Sequence, residues 1–305
     1  MNLLTPITIT DAILSSSTVA EPAAGETAWV SGGTYALGDL RIRATTHRIY
    51  ACVLAHTGIA TLPESDPTRW LDKSPTLRWA AFDSYVSTAS TATTSLTYVL
   101  RPGFCNTVAF YGLVGLALQL TIRDGPGGTV AYTLTDDLTA PFSGFYELLT
   151  GKPRQRDKVF YKALPLLPDP EITITISSTA GAPVAVGMSV LGDLAPLIDD
   201  SIWGGTEFGP TVEPTTYSYI KTNTDGTLQI VKRNATTNMT ASVVMPTRAA
   251  NYALNAVTQV LDVPCAWIAT DTSGYEGLNV FGLGSGKLAY PEAYVRFDLR
   301  ILGTI

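Results

Sequence analysis

Charge is scarce in this chain of 305 residues. Asp, Glu, Lys and Arg supply 15% of it, where about 25% is usual for a soluble domain. Such a deficit points to a surface largely covered by other copies or partners. The few charges sum to −6, and nucleic-acid binding requires clustered Lys and Arg against phosphate, so that class is set aside. There are only two histidines, His47 and His56, and neither stands in a metal-ligand spacing, so no metal is expected. The three cysteines, Cys52, Cys105 and Cys265, are odd in number and far apart. That excludes a disulfide framework or zinc spacing, and each reads as a small buried hydrophobe.

Long apolar runs are also missing. The nearest, residues 108–122, is broken by Tyr111, Gln119 and two glycines, short of the roughly 18 apolar residues a membrane helix needs. Residues 1–20 lack both a basic segment and a continuous apolar one, so no secretory signal is expected. The reading is a soluble protein made in the cytoplasm, with no membrane insertion.

Catalytic signatures are thin. There is no G-x-S-x-G elbow and no phosphate loop. Gly282 to Lys287 (G-L-G-S-G-K) is one residue too short for that loop and leads into no helix, so it reads as a hairpin turn. Asp136-Asp137 and Asp199-Asp200 fall in predicted loops, where adjacent carboxylates cap and solvate. A glycosidase needs two carboxyls about 5 to 9.5 Å apart across a cleft, and no such pair is legible. The chain is expected to be no enzyme and to hold no cofactor.

Strand signals dominate what is present. Residues 171–177 (E-I-T-I-T-I-S) alternate, with Ile172, Ile174 and Ile176 on one face. Residues 184–191 follow after a Gly-Ala-Pro turn and read as the second arm of a hairpin. Residues 116–123 and 129–134, joined by Gly125-Pro126-Gly127-Gly128, read as another. One helix is predicted over 247–262, capped by Thr247, with Ala250, Ala253, Leu254, Val257 and Leu261 at helical spacing. The fold class is mostly all-β: a small aromatic-rich module followed by two β-sandwich-like domains, the last carrying the helix. The expected divisions are an extended arm over 1–20, the module over 21–80, a β-sandwich over 81–195 and a second β domain over 196–305.

The aromatic module concentrates Trp29, Tyr35, His47, Tyr50 and Trp70 in about fifty residues. So short a segment builds only a small core. Its rings either supply that core or form an exposed platform, since flat aromatic side chains stack well on sugar rings. Trp79 and Phe82, just beyond, are expected to dock the module onto the next domain. The pattern W-x(5)-Y-x(2)-G-D, then H-R-I-Y-A-C, then D-P-T-R-W resembles the small chitin- and cellulose-binding modules of secreted glycosidases. The resemblance implies carbohydrate-binding roles for Trp29, Tyr50 and Trp70, each as core or as platform.

A wider likeness spans the chain: I-T-D-A-I-L-S-S-S-T-V at 9–19, S-P-T-L-R-W-A-A-F-D at 74–83, L-R-P-G at 100–103, P-C-A-W-I at 264–268 and Y-E-G-L at 275–278. It resembles a group of tailed-bacteriophage virion proteins that join a carbohydrate-binding-like module to β-sandwich domains. The resemblance implies a structural protein of the virion tail, at the tail tip or baseplate. Its partners would be other copies of itself in a cyclic ring, other phage tail proteins and host cell-surface polysaccharide. The alternatives are a host-glycan receptor-binding protein, a head-to-tail connector or neck protein, and, least favoured, a glycan-degrading enzyme.

Overall fold

The computed structural model describes residues 1–140, 142, 144–151, 154–198, 203–270, 272, 275–291 and 293–304. The Asp199-Asp200 pair lies outside them. Strands hold 48% of the chain and helices 9%, which is the mostly β class the sequence predicts.

A five-stranded antiparallel sheet runs in the order Val130–Asp137, Ala117–Arg123, Glu171–Ser177, Ser95–Leu100, Leu14–Ser17. The alternation read from the sequence holds here. Ile172, Ile174 and Ile176 point inward and pair in register with Ile122, Leu120 and Leu118. They pack against Val108, Phe110, Val184, Val186 and Leu191 of a second, larger sheet, and the two faces make a sandwich core.

The predicted hairpin of 171–177 with 184–191 does not form. Glu171–Ser177 pairs within the five-stranded sheet, whereas Pro183–Pro196 crosses to the larger sheet and pairs with Thr107–Val114. The physical reason lies in its burial. Val184 is buried, and from Val186 to Leu191 every residue is buried, on both faces of the strand, as in an interior strand covered from both sides.

The larger sheet has eleven strands. Its main path runs Lys158–Tyr161, Thr107–Val114, Pro183–Pro196, Asn2–Pro6, Cys265–Ile268, Asn279–Ala289, Val295–Gly303, Ala235–Met245, Gly205–Thr206. Residues 2–6 of the expected extended arm are therefore an interior strand. They pair with Pro183–Pro196 on one side and with Cys265–Ile268 on the other, which joins the two β regions in one sheet. The adjacent Leu3 and Leu4 point to opposite faces, and both are fully buried, each contributing about 1.5–3 kcal/mol of apolar burial. Residues 7–10 (I-T-I-T) alternate apolar and polar side chains but build no strand.

On the far half of this sheet, Met239, Val243, Trp267, Val295 and Phe297 pack under the helix Thr247–Thr258. That helix is shorter than predicted. Pro246, not Thr247, holds the N-cap position, and no side chain caps it. Ala249, Ala250, Ala253 and Val257 face the core, while Leu254 and Leu261 are exposed.

Gly282 to Lys287 is not a turn but the interior of the strand Asn279–Ala289. A Cβ on Gly284 would overlap the Trp267 indole, and one on Gly286 would overlap Phe297. The glycines there make room for rings from the neighbouring strands, a use of strand glycine at a close approach.

Candidate functional site

The aromatic module consists of two small antiparallel sheets, Leu40–Arg43, Arg48–Cys52 and Trp70–Pro75 in one, Thr34–Tyr35 and His56–Thr57 in the other. Tyr35, Tyr50, Cys52 and Trp70 form its core, with Trp29 packed against them. Trp70 is 2% and Tyr50 5% exposed. Trp70 meets Tyr35 edge-on at 5.0 Å and His56 edge-on at 5.3 Å. The Tyr35 hydroxyl donates to the Val30 carbonyl at 2.6 Å and accepts from the Val30 amide at 2.8 Å. Tyr50 reaches its hydroxyl to Thr46 Oγ1 at 3.3 Å.

Tyr50 and Trp70 thus take the core position of the two that the sequence left open, and neither has a ring face open to a sugar. Trp29 is half-buried, and the Arg43 guanidinium lies over its ring at 5.2 Å, itself paired with Glu64 at 3.2 Å. The three residues do not share an exposed plane. The large apolar side chains that the module shows to solvent are aliphatic, among them Val30, Leu37, Leu54 and Leu71.

Where the module meets the body, the sequence reading missed the organising residue. The Glu21 carboxylate is buried and collects three contacts from elsewhere in the chain. Thr76 Oγ1 donates to it at 2.7 Å and Trp79 Nε1 at 3.0 Å, and His47 Nδ1 lies 3.0 Å away. Glu26 accepts from the amides of Ala23 and Leu77 at 2.8 and 2.7 Å. Two carboxylates thus fasten the start of the module to its end, and charge-assisted bonds of this kind are the stronger ones. His47 stacks on Trp79 at 4.1 Å and places Nε2 3.1 Å from Asp11. Trp79 belongs to the sandwich core, and Phe82 continues from it to Tyr98 at 4.9 Å. The docking role expected of Trp79 and Phe82 is the one they occupy. Both nitrogens of His47 are engaged, so this cluster is built as a joint and offers no unengaged base.

A cleft of about 370 Å³ opens where the larger sheet curls, with Tyr111, Asp157, Lys158, Thr236 and Phe281 among its walls. Burial lowers the Lys158 pKa, and Asp157 opposes that shift. Burial drives the Tyr111 pKa far up. Asp136 is engaged by Arg156 at 3.1 Å and by the Tyr161 hydroxyl at 2.7 Å, so it is held as part of a structural ion pair. Among the described residues no group of three or more His, Cys, Asp or Glu side chains is placed to hold a metal ion, and no helix is long and apolar enough to cross a membrane.

The sequence reading also passed over residues 217–233. Tyr219–Thr222 and Leu228–Val231 pair as a two-stranded ribbon. The signal was present: N-T-D-G between two runs of strand formers is a hairpin turn signature.

No known protein family, curated protein or solved structure matches this chain.

Proposed function

We propose that the chain is a structural protein of a tailed-phage particle, in the tail-tip or baseplate region, whose work is assembly. One observation carries this reading most: large apolar side chains stand in solvent on elements too small to hold them there alone. The short helix Phe145–Thr150 exposes Phe145, Tyr146, Leu148 and Leu149 together. Contiguous exposed apolar surface of this kind marks an interaction site. Low overall charge fits the same use, because permanent interfaces are apolar. The whole-chain resemblance supplies the kind of particle. The buried Tyr50 and Trp70 favour this reading over the receptor-binding one, which needs open aromatic faces.

Immunogold electron microscopy of particles released by the producing host, with antibody against residues 21–80, tests it. Label at the distal tail is the expected result. Label at the neck would move the chain to the connector. Particles shown by mass spectrometry to lack the chain would refute the assignment.

A further inference from the structure

The ribbon over 217–233 extends the pairing of Thr211–Thr216 with Ala235–Met245 beyond the body of the protein. Ser218 carries the ladder across the junction. Its hydroxyl accepts from the Arg233 amide at 2.9 Å and donates to the Arg233 carbonyl at 3.2 Å. The tip is closed by Asn223, Asp225 and Thr227: the Asn223 amide donates to the Thr227 carbonyl at 2.9 Å, and Thr227 Oγ1 donates to Asp225 at 2.6 Å. Four residues of strand in each arm project roughly 13 Å.

Pairing register sorts the side chains. Ile220 faces Ile230 and Thr222 faces Leu228 on one side; Tyr219 faces Val231 and Lys221 faces Gln229 on the other. Arg233 lies over the Tyr219 ring at 5.1 Å, so the second side is polar and partly self-covered. The first side is apolar and bare: Ile220 is 65%, Leu228 68% and Ile230 65% exposed. A two-stranded ribbon is marginal in water without an apolar face covered. Among the described residues no third strand pairs with it.

We infer that this ribbon docks, apolar face down, on the body of a second copy of the same chain. Charge selects that occupant. The ribbon holds Lys221, Lys232 and Arg233 against Asp225, two positive charges in excess. The whole chain carries −6, so the remainder carries −8. A positive ribbon is drawn to the negative body of another copy and repelled by another ribbon. The contact therefore joins two different patches, and a head-to-tail contact of that kind closes into a ring or runs on as a helix. This inference rests on the assembly reading above and names the surface through which its copies meet.

Sedimentation velocity of the full chain tests it, alongside I220D/I230D and K221E/K232E. The wild type is expected to self-associate, and more weakly as salt rises. I220D/I230D should weaken association about a hundredfold with an unchanged thermal midpoint, since both side chains are exposed. If that variant folds poorly, K221E/K232E reads the same association through the ribbon's net charge. Association unchanged in both variants would overturn the ribbon as the contact and leave the assembly reading standing. A wild type that stays monomeric up to about 1 mM, the weak end of specific affinity, would overturn the second copy as occupant and give the ribbon to a different protein. Particle labelling would then decide the assembly reading separately.

Discussion

Replacing Trp70 by alanine removes the largest side chain of a very small core. Trp70 is buried against Tyr35, His56 and Cys52. A buried Trp→Ala change costs about 3–5 kcal/mol, and edge-on aromatic pairs add to that loss at about 0.5–1.5 kcal/mol each. At the usual ~0.05–0.15 kcal/mol per residue, the sixty residues of the module hold only about 3–9 kcal/mol. The substitution should therefore leave the module close to unfolded while the two large sheets, whose cores it does not touch, persist. Trypsin reads this directly, since Arg41, Arg43 and Arg48 lie within the module's strands. Cleavage there at 25 °C should rise at least a hundredfold, because cleavage follows the open population. Calorimetry should show the module's transition lowered by more than ~10 °C, with the body's transition in place. A Trp70→Ala protein with wild-type trypsin resistance and an unmoved midpoint would refute the core assignment and restore the platform.

Three further outcomes are expected. Burial raises the Cys265 thiol to about 12 from 9.0 and the Tyr98 phenol to about 12 from 10.0. A group whose pKa is raised on folding supports the fold below its unfolded pKa and loses that support as pH climbs to the folded one. The urea midpoint should thus fall between about pH 9 and pH 12, and Cys265→Ser with Tyr98→Phe should flatten that fall. All three thiols are free and buried, so a thiol reagent should titrate none in native protein and three in denaturant; fast reaction of the native protein would contradict the packing. Gly284→Ala drives a methyl group into the Trp267 indole, an overpacking worth about 1–3 kcal/mol, visible as a lowered thermal midpoint and a shifted Trp emission.

How much of this was legible depended on whether the determining contact was local. The strand Glu171–Ser177 could be read because strict alternation fixes both period and face. Its partner could not, since pairing was decided by burial on both faces of Pro183–Pro196, a property of the whole sheet. The glycines at 284 and 286 look like turn residues by composition; the rings that require them come from strands reached only through the fold. For the aromatic module, the sequence narrowed Trp29, Tyr50 and Trp70 to two roles and stopped there, because core and platform demand the same residue types. Glu21 was invisible for a related reason: an acidic residue beside proline reads as surface until Thr76 and Trp79 close over it. The ribbon was missed despite a readable turn, because the strands flanking N-T-D-G are only four residues each, too short to establish a period.

The strand Asn2–Pro6 sets an order on events during synthesis. Leu4 lies beside Leu194 on one side and Ala266 on the other. At about 5–20 residues per second, the ribosome supplies the second neighbour some ~10 to 50 s after the strand itself. Until then the two adjacent leucines have at most the one neighbouring strand that carries Leu194, and the eleven-stranded sheet has a gap at its middle. The larger sheet therefore cannot be completed in step with translation; it closes around this strand only once Cys265–Ile268 has been made.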